Sequence, residues 1–483
     1  MNNELRKKTI KNLIYSFTAQ ITSVLLSTLM SLCIPKILGV TDYGYWQLFL
    51  FYINYVGFFH FGITDGMYLK NGGMDYSRID KRELAAQFYV LLFLQLILLG
   101  IVIIFSIGFI SGSIRKVILI FSAIYMIVAN MNWYLGYVFQ ATNRVKLYSI
   151  SVMIDKLIFL VFIIFAFLFN IRNLITYIVL YIFTTFCALL FSIYNSKEII
   201  TSKPYEIKKS LKISSESAKV GINLTLASVS SLLILGVGRY LVDKAWGIES
   251  FGKFSFSLSL TNFFLLFISQ ISVVLFPTLR QINKSVAKNL YTTFTNYLDA
   301  ILPVIYILYV PIKLILILWL PQYSVSLNYL VMLLPICIFD GKTQMINNTY
   351  FKVFRMEKEM LKLNLMTVLV STLLSLFSVF IIKNINFVIL GMLFAICFRS
   401  IVGESILSKK LNIKNNLANL LFEILLSAIF IAINMKLDCK YALWTTLLLY
   451  LAYLYITKLY KVYFSILKKL LKKSAQLVVF SEY

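Results

Sequence analysis

The chain has 483 residues, of which 60% are hydrophobic and 14% charged, and its 46 Lys+Arg outweigh 20 Asp+Glu to give a net charge of +26. About half the usual charge at a mean hydropathy of +0.84 excludes a soluble globular, disordered, collagenous or coiled-coil protein and points to a polytopic membrane protein. The basic residues sit in short polar gaps between apolar runs of about 20 residues, each able to cross about 30 Å of hydrocarbon as a helix, so they form no surface for nucleic acid.

Fourteen transmembrane helices are predicted, at 12–34, 45–68, 85–110, 117–138, 149–169, 174–194, 219–242, 253–276, 293–318, 327–348, 363–382, 386–407, 417–434 and 441–457. The first is too long for a signal-peptide core and has no small-residue cleavage site, so it is expected to remain as a span. Lys+Arg in the N-terminal segment, alternate loops and C-terminal tail number 32, against 9 in the opposite loops. The positive-inside rule therefore predicts both termini in the cytoplasm. Lys156, Arg239, Lys253, Lys342 and Arg399 fall in spans or at their ends. Cys33, Cys187, Cys337 and Cys397 lie in apolar runs and Cys439 in a short loop, without metal-ligand spacing, and read as small buried hydrophobes.

The gap 195–218 carries Pro204 and a run of basic residues, which suits a cytoplasmic linker. The expected organisation is an all-α protein with a six-helix bundle at 1–194, the linker, a second parallel six-helix bundle at 219–407, two additional helices within 408–460 and a basic tail at 461–483. An internal repeat supports it: shifted by 208 residues, Leu38–Trp46 falls on Trp246–Phe254, Asn54 on Asn262 and Phe59 on Phe267. Parallel repeats are an architecture of secondary transporters. Gly247 to Lys253 mimics a phosphate-binding P-loop, but Phe254 stands where Ser or Thr is required. In the tail, Lys461–Lys473 separates Phe464, Leu467, Leu470 and Leu471 from Lys468, Lys469, Lys472 and Lys473, as a helix lying on an anionic leaflet does.

Polar side chains at helical spacing mark faces turned away from lipid. Ser16, Gln20, Ser23, Ser27 and Ser31 form such a stripe in the first span, and the repeat shift carries it onto Ser228, Ser231 and Arg239 in the seventh. Arg239 is either a cation on an inward face or the i+4 partner of Asp243. Asp340, Thr343, Gln344 and Asn347 make a stripe in span ten, from which Lys342 points about 200° away. Asp299 shares a face with Pro303, and Asn54 shares one with Asp65. Asp155, Lys156, Arg399, Glu404 and Glu423 complete the intramembrane charges. At about 2.5–3.5 kcal/mol each for a central position, so many ionisable groups exceed what packing alone tolerates. His60, the sole histidine, stands among Phe58, Phe59 and Phe61 and fits a core or interface position better than a proton relay. One histidine leaves almost no material for Cys/His metal sites or a Ser-His-Asp triad.

The Ile34-Pro35-Lys36-Ile37-Leu38-Gly39 exit of the first helix, the Asp42-Tyr43-Gly44 opening of the second, and Phe61-Gly62 with Gly66 near its far end, set in two parallel six-span regions, resemble a Wzx-type lipid-linked oligosaccharide flippase. That family belongs to the multidrug/oligosaccharidyl-lipid/polysaccharide exporter superfamily, and the resemblance covers spans one to twelve. It implies a bacterial inner-membrane transporter that moves an undecaprenyl-diphosphate-linked repeat unit to the outer leaflet for capsule, O-antigen or exopolysaccharide assembly, with polymerases and glycosyltransferases as partners. On this expectation Arg239, Lys156, Lys342 and Arg399 neutralise the diphosphate. Gln20 and the group of Asn130, Trp133, Tyr134 and Tyr137 face sugars. Asp65, Asp299, Asp340 and Glu404 carry H⁺ or Na⁺, and no other cofactor is implied. Two alternatives are weighed. A polytopic polymerase or glycosyltransferase would present a long polar external loop, where this chain has loops of about ten residues or fewer. An ion-coupled drug exporter of the same superfamily would share the fold, but the intramembrane cations favour an anionic substrate.

Overall fold

In the computed structural model, residues 3–110, 112–280, 284–413 and 417–465 are described, without the side chains of most of 3–25 and 267–285. The Gln20 side chain and the tail from 466 onward lie outside the described residues. What is described is helical throughout, with no strand, because a chain this apolar satisfies its backbone hydrogen bonds only within its own segments.

The helices are α1 (Asn3–Ile53), α2 (Ile63–Asn71), α3 (Lys81–Phe109), α4 (Ser113–Ala141), α5 (Val145–Leu168), α6 (Leu174–Tyr194), α7 (Lys197–Ile200), α8 (Ile207–Arg280), α9 (Lys284–Ile301), α10 (Ile305–Trp319), α11 (Ser324–Leu333), α12 (Pro335–Lys342), α13 (Asn348–Val353), α14 (Glu357–Phe377), α15 (Ile385–Leu411), α16 (Leu417–Lys436) and α17 (Cys439–Ile456). Among the described residues, ten helices are long and apolar enough to span a membrane, or eleven when the bent pair Pro321–Leu333 and Pro335–Val353 counts as one. One of these, Ile207–Leu266, holds the predicted span at 219–242 and the start of the next, and α1 holds the first span and the beginning of the second, up to Ile53. Large side chains such as Phe93, Ile104, Phe109 and Leu318 stand exposed on the outer faces, as lipid contact requires. Asp80, Asn173 and Asn384 accept from backbone N–H groups in the first turns of α3, α6 and α15, the ordinary role of short polar side chains at helix starts.

The structure departs from the expected elements in four places. Instead of a loop at 35–44, α1 breaks at a single residue, Gly39, with φ 76° and ψ −179°. The repeat-related Gly247 breaks α8 with φ 79° and ψ −179°. Glycine alone adopts this conformation without strain, so two sharp corners 208 positions apart have the same geometry. The second span is not continuous over 45–68. Helix ends at Ile53, a 3-10 turn follows at Val56–His60, and α2 begins after Gly62, at φ +81°. Residues 207–218 of the expected linker are the first turns of α8. Finally, span ten is jointed at Pro335 and carries a π-helical turn at Thr343–Asn347, a departure from regular helix frequent at functional sites.

Candidate functional site

The jointed span ten positions the densest group of charges. Asp340 and Lys342 stand two residues apart in α12, about 200° around the helix, so they address different neighbours. Lys342, 2% exposed, lies 2.6 Å from Asp299 of α9, 2.5 Å from Glu423 of α16 and 3.9 Å from Glu404 of α15. Asp340 pairs with Arg399 of α15 and accepts from Gln344 at 2.7 Å, while Arg399 also donates to Ser231 of α8 at 2.9 Å. Four buried carboxylates thus face two cations, a formal sum of −2. Charges in a low-dielectric interior need pairing or neutralisation, so this group is suited to taking up and releasing protons. Glu423 is wholly buried, and its Oε1 has no hydrogen-bond partner among the described residues. Sequence reading counted Glu423 among the intramembrane charges without giving it a role; its position in a span outside the repeat offered no signal of where it would dock.

Arg239 has a different setting. It is half-buried on α8, with its guanidinium 5.1 Å from the Phe51 ring of α1 and 5.4 Å from the Phe251 ring of α8, and it donates to Ser255 at 3.1 Å. Its Nε finds no hydrogen-bond partner, and no carboxylate pairs with it among the described residues. The i+4 alternative is therefore overturned. Asp243 is held by Arg115 of α4 through two bonds of 2.7 Å, a bidentate pair in which the arginine fork meets both carboxylate oxygens. Arg239 thus sits between aromatic rings of the first and second six-span regions with its charge unanswered.

The two regions touch at both ends of this interface. At the end of the Gly39 and Gly247 corners, a Cβ on Gly252 would lie 2.8 Å from the Gly44 Cα, and Thr41 donates to Glu249 at 2.7 Å. Both contacts join positions 208 apart, which places a pseudo-twofold axis between them. Lys36 donates to the Trp319 carbonyl at 2.8 Å on the same side. At the opposite end, a Cβ on Gly221 would lie 2.1 Å from the Gly62 carbonyl oxygen, Asp65 accepts from Thr225 at 2.5 Å, and Lys70 lies 3.9 Å from Glu216.

The remaining predicted residues lie within the first region. Asn130 donates at 3.0 Å both to the Val56 carbonyl and to Gln95, which donates onward to the Phe59 carbonyl at 2.8 Å. The buried amide pair thereby stitches the broken part of the second span to α3 and α4. Trp133 is 36% exposed beside Gly57, the Tyr137 ring lies 5.5 Å from that of Tyr68 at a tilt of 46°, and Tyr134 is buried with its hydroxyl on the Leu84 carbonyl. Lys156 lies apart from Arg239, 3.1 Å from Asp155 and 5.3 Å from the Tyr181 ring, with Asp155 also accepting from Thr184 and Thr185. Carboxylates thus already answer the charges of Lys156, Lys342 and Arg399. Among the described residues no group of three or more His, Cys, Asp or Glu is placed to hold a metal ion.

No family model matches the chain, and no curated protein matches its sequence. Solved structures do match it. The lipid II flippase MurJ in an inward closed conformation superposes with a TM-score of 0.68 at 12% identity, covering 94% of this chain and 99% of that one. A multidrug resistance MATE family transporter of the MOP superfamily matches in its outward-facing form with a TM-score of 0.56 at 13% identity, covering 83% of this chain and 96% of that one. A MOP superfamily transporter from Pyrococcus furiosus gives 0.53 at 11% identity, covering 83% and 96%. The fold is therefore the polytopic all-helical one of these transporters.

Proposed function

We propose that the protein is a flippase for an undecaprenyl-diphosphate-linked oligosaccharide, working by ion-coupled alternating access in a bacterial cytoplasmic membrane during surface polysaccharide synthesis. The observation that carries this reading is Arg239, a cation between aromatic rings of the two six-span regions with no carboxylate partner among the described residues. Burying an unpaired guanidinium is costly, and an incoming diphosphate supplies the counter-charge through paired N–H donors. An exporter of cationic drugs would be poorly served by that charge. The wider likeness to the flippase than to the drug transporters, 94% against 83% of this chain, points the same way. Trp133 and Tyr137 face the sugars, and the polyprenyl tail stays in lipid; Asn130, wholly buried with its amide hydrogens given to Val56 and Gln95, is a structural residue rather than the sugar contact expected from the sequence. Lys156, Lys342 and Arg399, each already answered by a carboxylate, take no part in neutralising the diphosphate.

Asp299, Asp340 and Glu404, with Asp65 at the closure beside Thr225, carry the coupling H⁺ or Na⁺. Both termini lie in the cytoplasm, so the Gly39/Gly247 corners face outward and the Gly62/Gly221 contact faces inward. Rocking of the two regions opens these closures in alternation. The test is reconstitution in liposomes with a labelled lipid-linked oligosaccharide. Arg239→Ala should abolish flipping and Arg239→Lys should retain part of it, both at normal insertion; full activity of Arg239→Ala would refute the reading. Reporter fusions after Lys209 should read cytoplasmic and those at Asp438 external.

A further inference from the structure

The structure gives the sole histidine a defined tautomer. His60 is buried at the end of the 3-10 turn Val56–His60, where the second span breaks. The Gly62 backbone N–H donates to its Nδ1 at 3.1 Å, so Nδ1 bears no proton and the ring hydrogen is on Nε2. Nε2 faces Asp65 Oδ2 at 3.9 Å, and that same oxygen accepts from Thr225 of α8 at 2.5 Å. Gly62 is itself part of the close approach to α8. With φ +81°, a Cβ there would come within 2.9 Å of backbone atoms of Ala218, Gly221 and Ile222. One imidazole therefore holds, through one backbone N–H, the residue on which the second span closes against α8.

We propose that His60 is a proton-binding latch on this closure: the neutral ring fastens Gly62 and keeps the end shut, and a proton taken up at Nδ1 releases it. The chemistry is direct. A proton on Nδ1 turns the acceptor into a donor facing another donor at 3.1 Å, so the bond to Gly62 is lost. The imidazolium then draws Asp65 toward itself and away from Thr225, loosening the second link to α8. Among the described residues, Asp65 of α2 is the one charged group facing the ring. Tyr137 of α4 lies within electrostatic reach of Asp65, and the groups that α3 and α8 present nearby, Gln95 and Thr225, are neutral. The functional consequence rests on the reading above that this end opens during transport; the tautomer and its response to pH do not.

The single histidine makes the test clean. Ring-¹⁵N-labelled protein in nanodiscs should show the Nε2–H tautomer at alkaline pH. Spin labels at Leu69→Cys and Lys212→Cys, with the native cysteines replaced by Ala, should move apart as the ring becomes protonated. Losing one buried hydrogen bond shifts the closed-to-open ratio about tenfold. His60→Asn places an amide oxygen near the position of Nδ1 and should hold the end closed at every pH. A proton on Nδ1 at alkaline pH, a label distance unchanged through the titration, or a native pH response in His60→Asn would each overturn the latch. If His60→Asn does not fold, the first two measurements on His60-containing protein still decide. Normal tautomer and distance behaviour with no flipping of lipid-linked oligosaccharide would uphold the latch and count against the flippase reading.

Discussion

The two regions related by the 208-residue shift have matching corners at Gly39 and Gly247, yet they bury different chemistry. The first is held by neutral groups: Asn130 with Gln95, Tyr134 with the Leu84 carbonyl, and Ser151 and Ser192 with Asn132 at 3.2 and 2.7 Å. Its Lys–Asp pair among the described residues, Asp155 with Lys156, joins adjacent residues. The second region buries Lys342 and Arg399 among carboxylates from α9, α12, α15 and α16. An amide network keeps the same charge at every pH and fixes geometry. A charge network with more acids than bases must exchange protons or cations, or pay with instability. On the proposed function, this difference makes the first region the fixed scaffold and the second the seat of the movable charge.

Removing the central cation should break this contrast most severely. Lys342→Met strands Asp299, Glu404 and Glu423 and should cost about 3–5 kcal/mol, read as loss of thermal stability in detergent; adding Glu423→Gln should recover part of it. Asn130→Ala should cost about 1–3 kcal/mol, the price of one orphaned buried partner. Equal losses would show that the two interiors are not different in kind.

Next in size is the effect at the interface. Arg115→Ala and Asp243→Ala should destabilise to the same extent, with the double variant no worse than either, because each breaks one bidentate pair. Arg239→Ala should add independently to Asp243→Ala, since the two residues share no contact.

The smallest structural effect should accompany the most specific functional one. Asp299→Asn or Asp340→Asn keeps shape and removes a titratable charge, so gradient-driven flipping should fall at near-normal membrane abundance. The counterpart in the first region, Asp155→Asn, should leave the response to the gradient intact. A gradient response lost in Asp155→Asn and kept in the other two would move the coupling to the first region.

Much of this was legible in the order of the residues. Run length and apolarity determine which segments cross the bilayer, because the hydrocarbon thickness is fixed. The 208-residue repeat was readable because glycines and aromatics at helix ends recur where the backbone must turn. Helical periodicity even showed that Asp340 and Lys342 point apart. What periodicity cannot supply is the rotation and depth of one helix against another, and a charge chooses its partner across helices. Asp243 is therefore taken by Arg115 from α4 rather than by Arg239 one turn away, and Glu423 reaches Lys342 from a span that the repeat does not contain. The breaks at Pro335 and at 54–62 belong to the same class. A span can fracture where amides such as Asn130 and Gln95 donate to the freed carbonyls, and those donors lie on other helices.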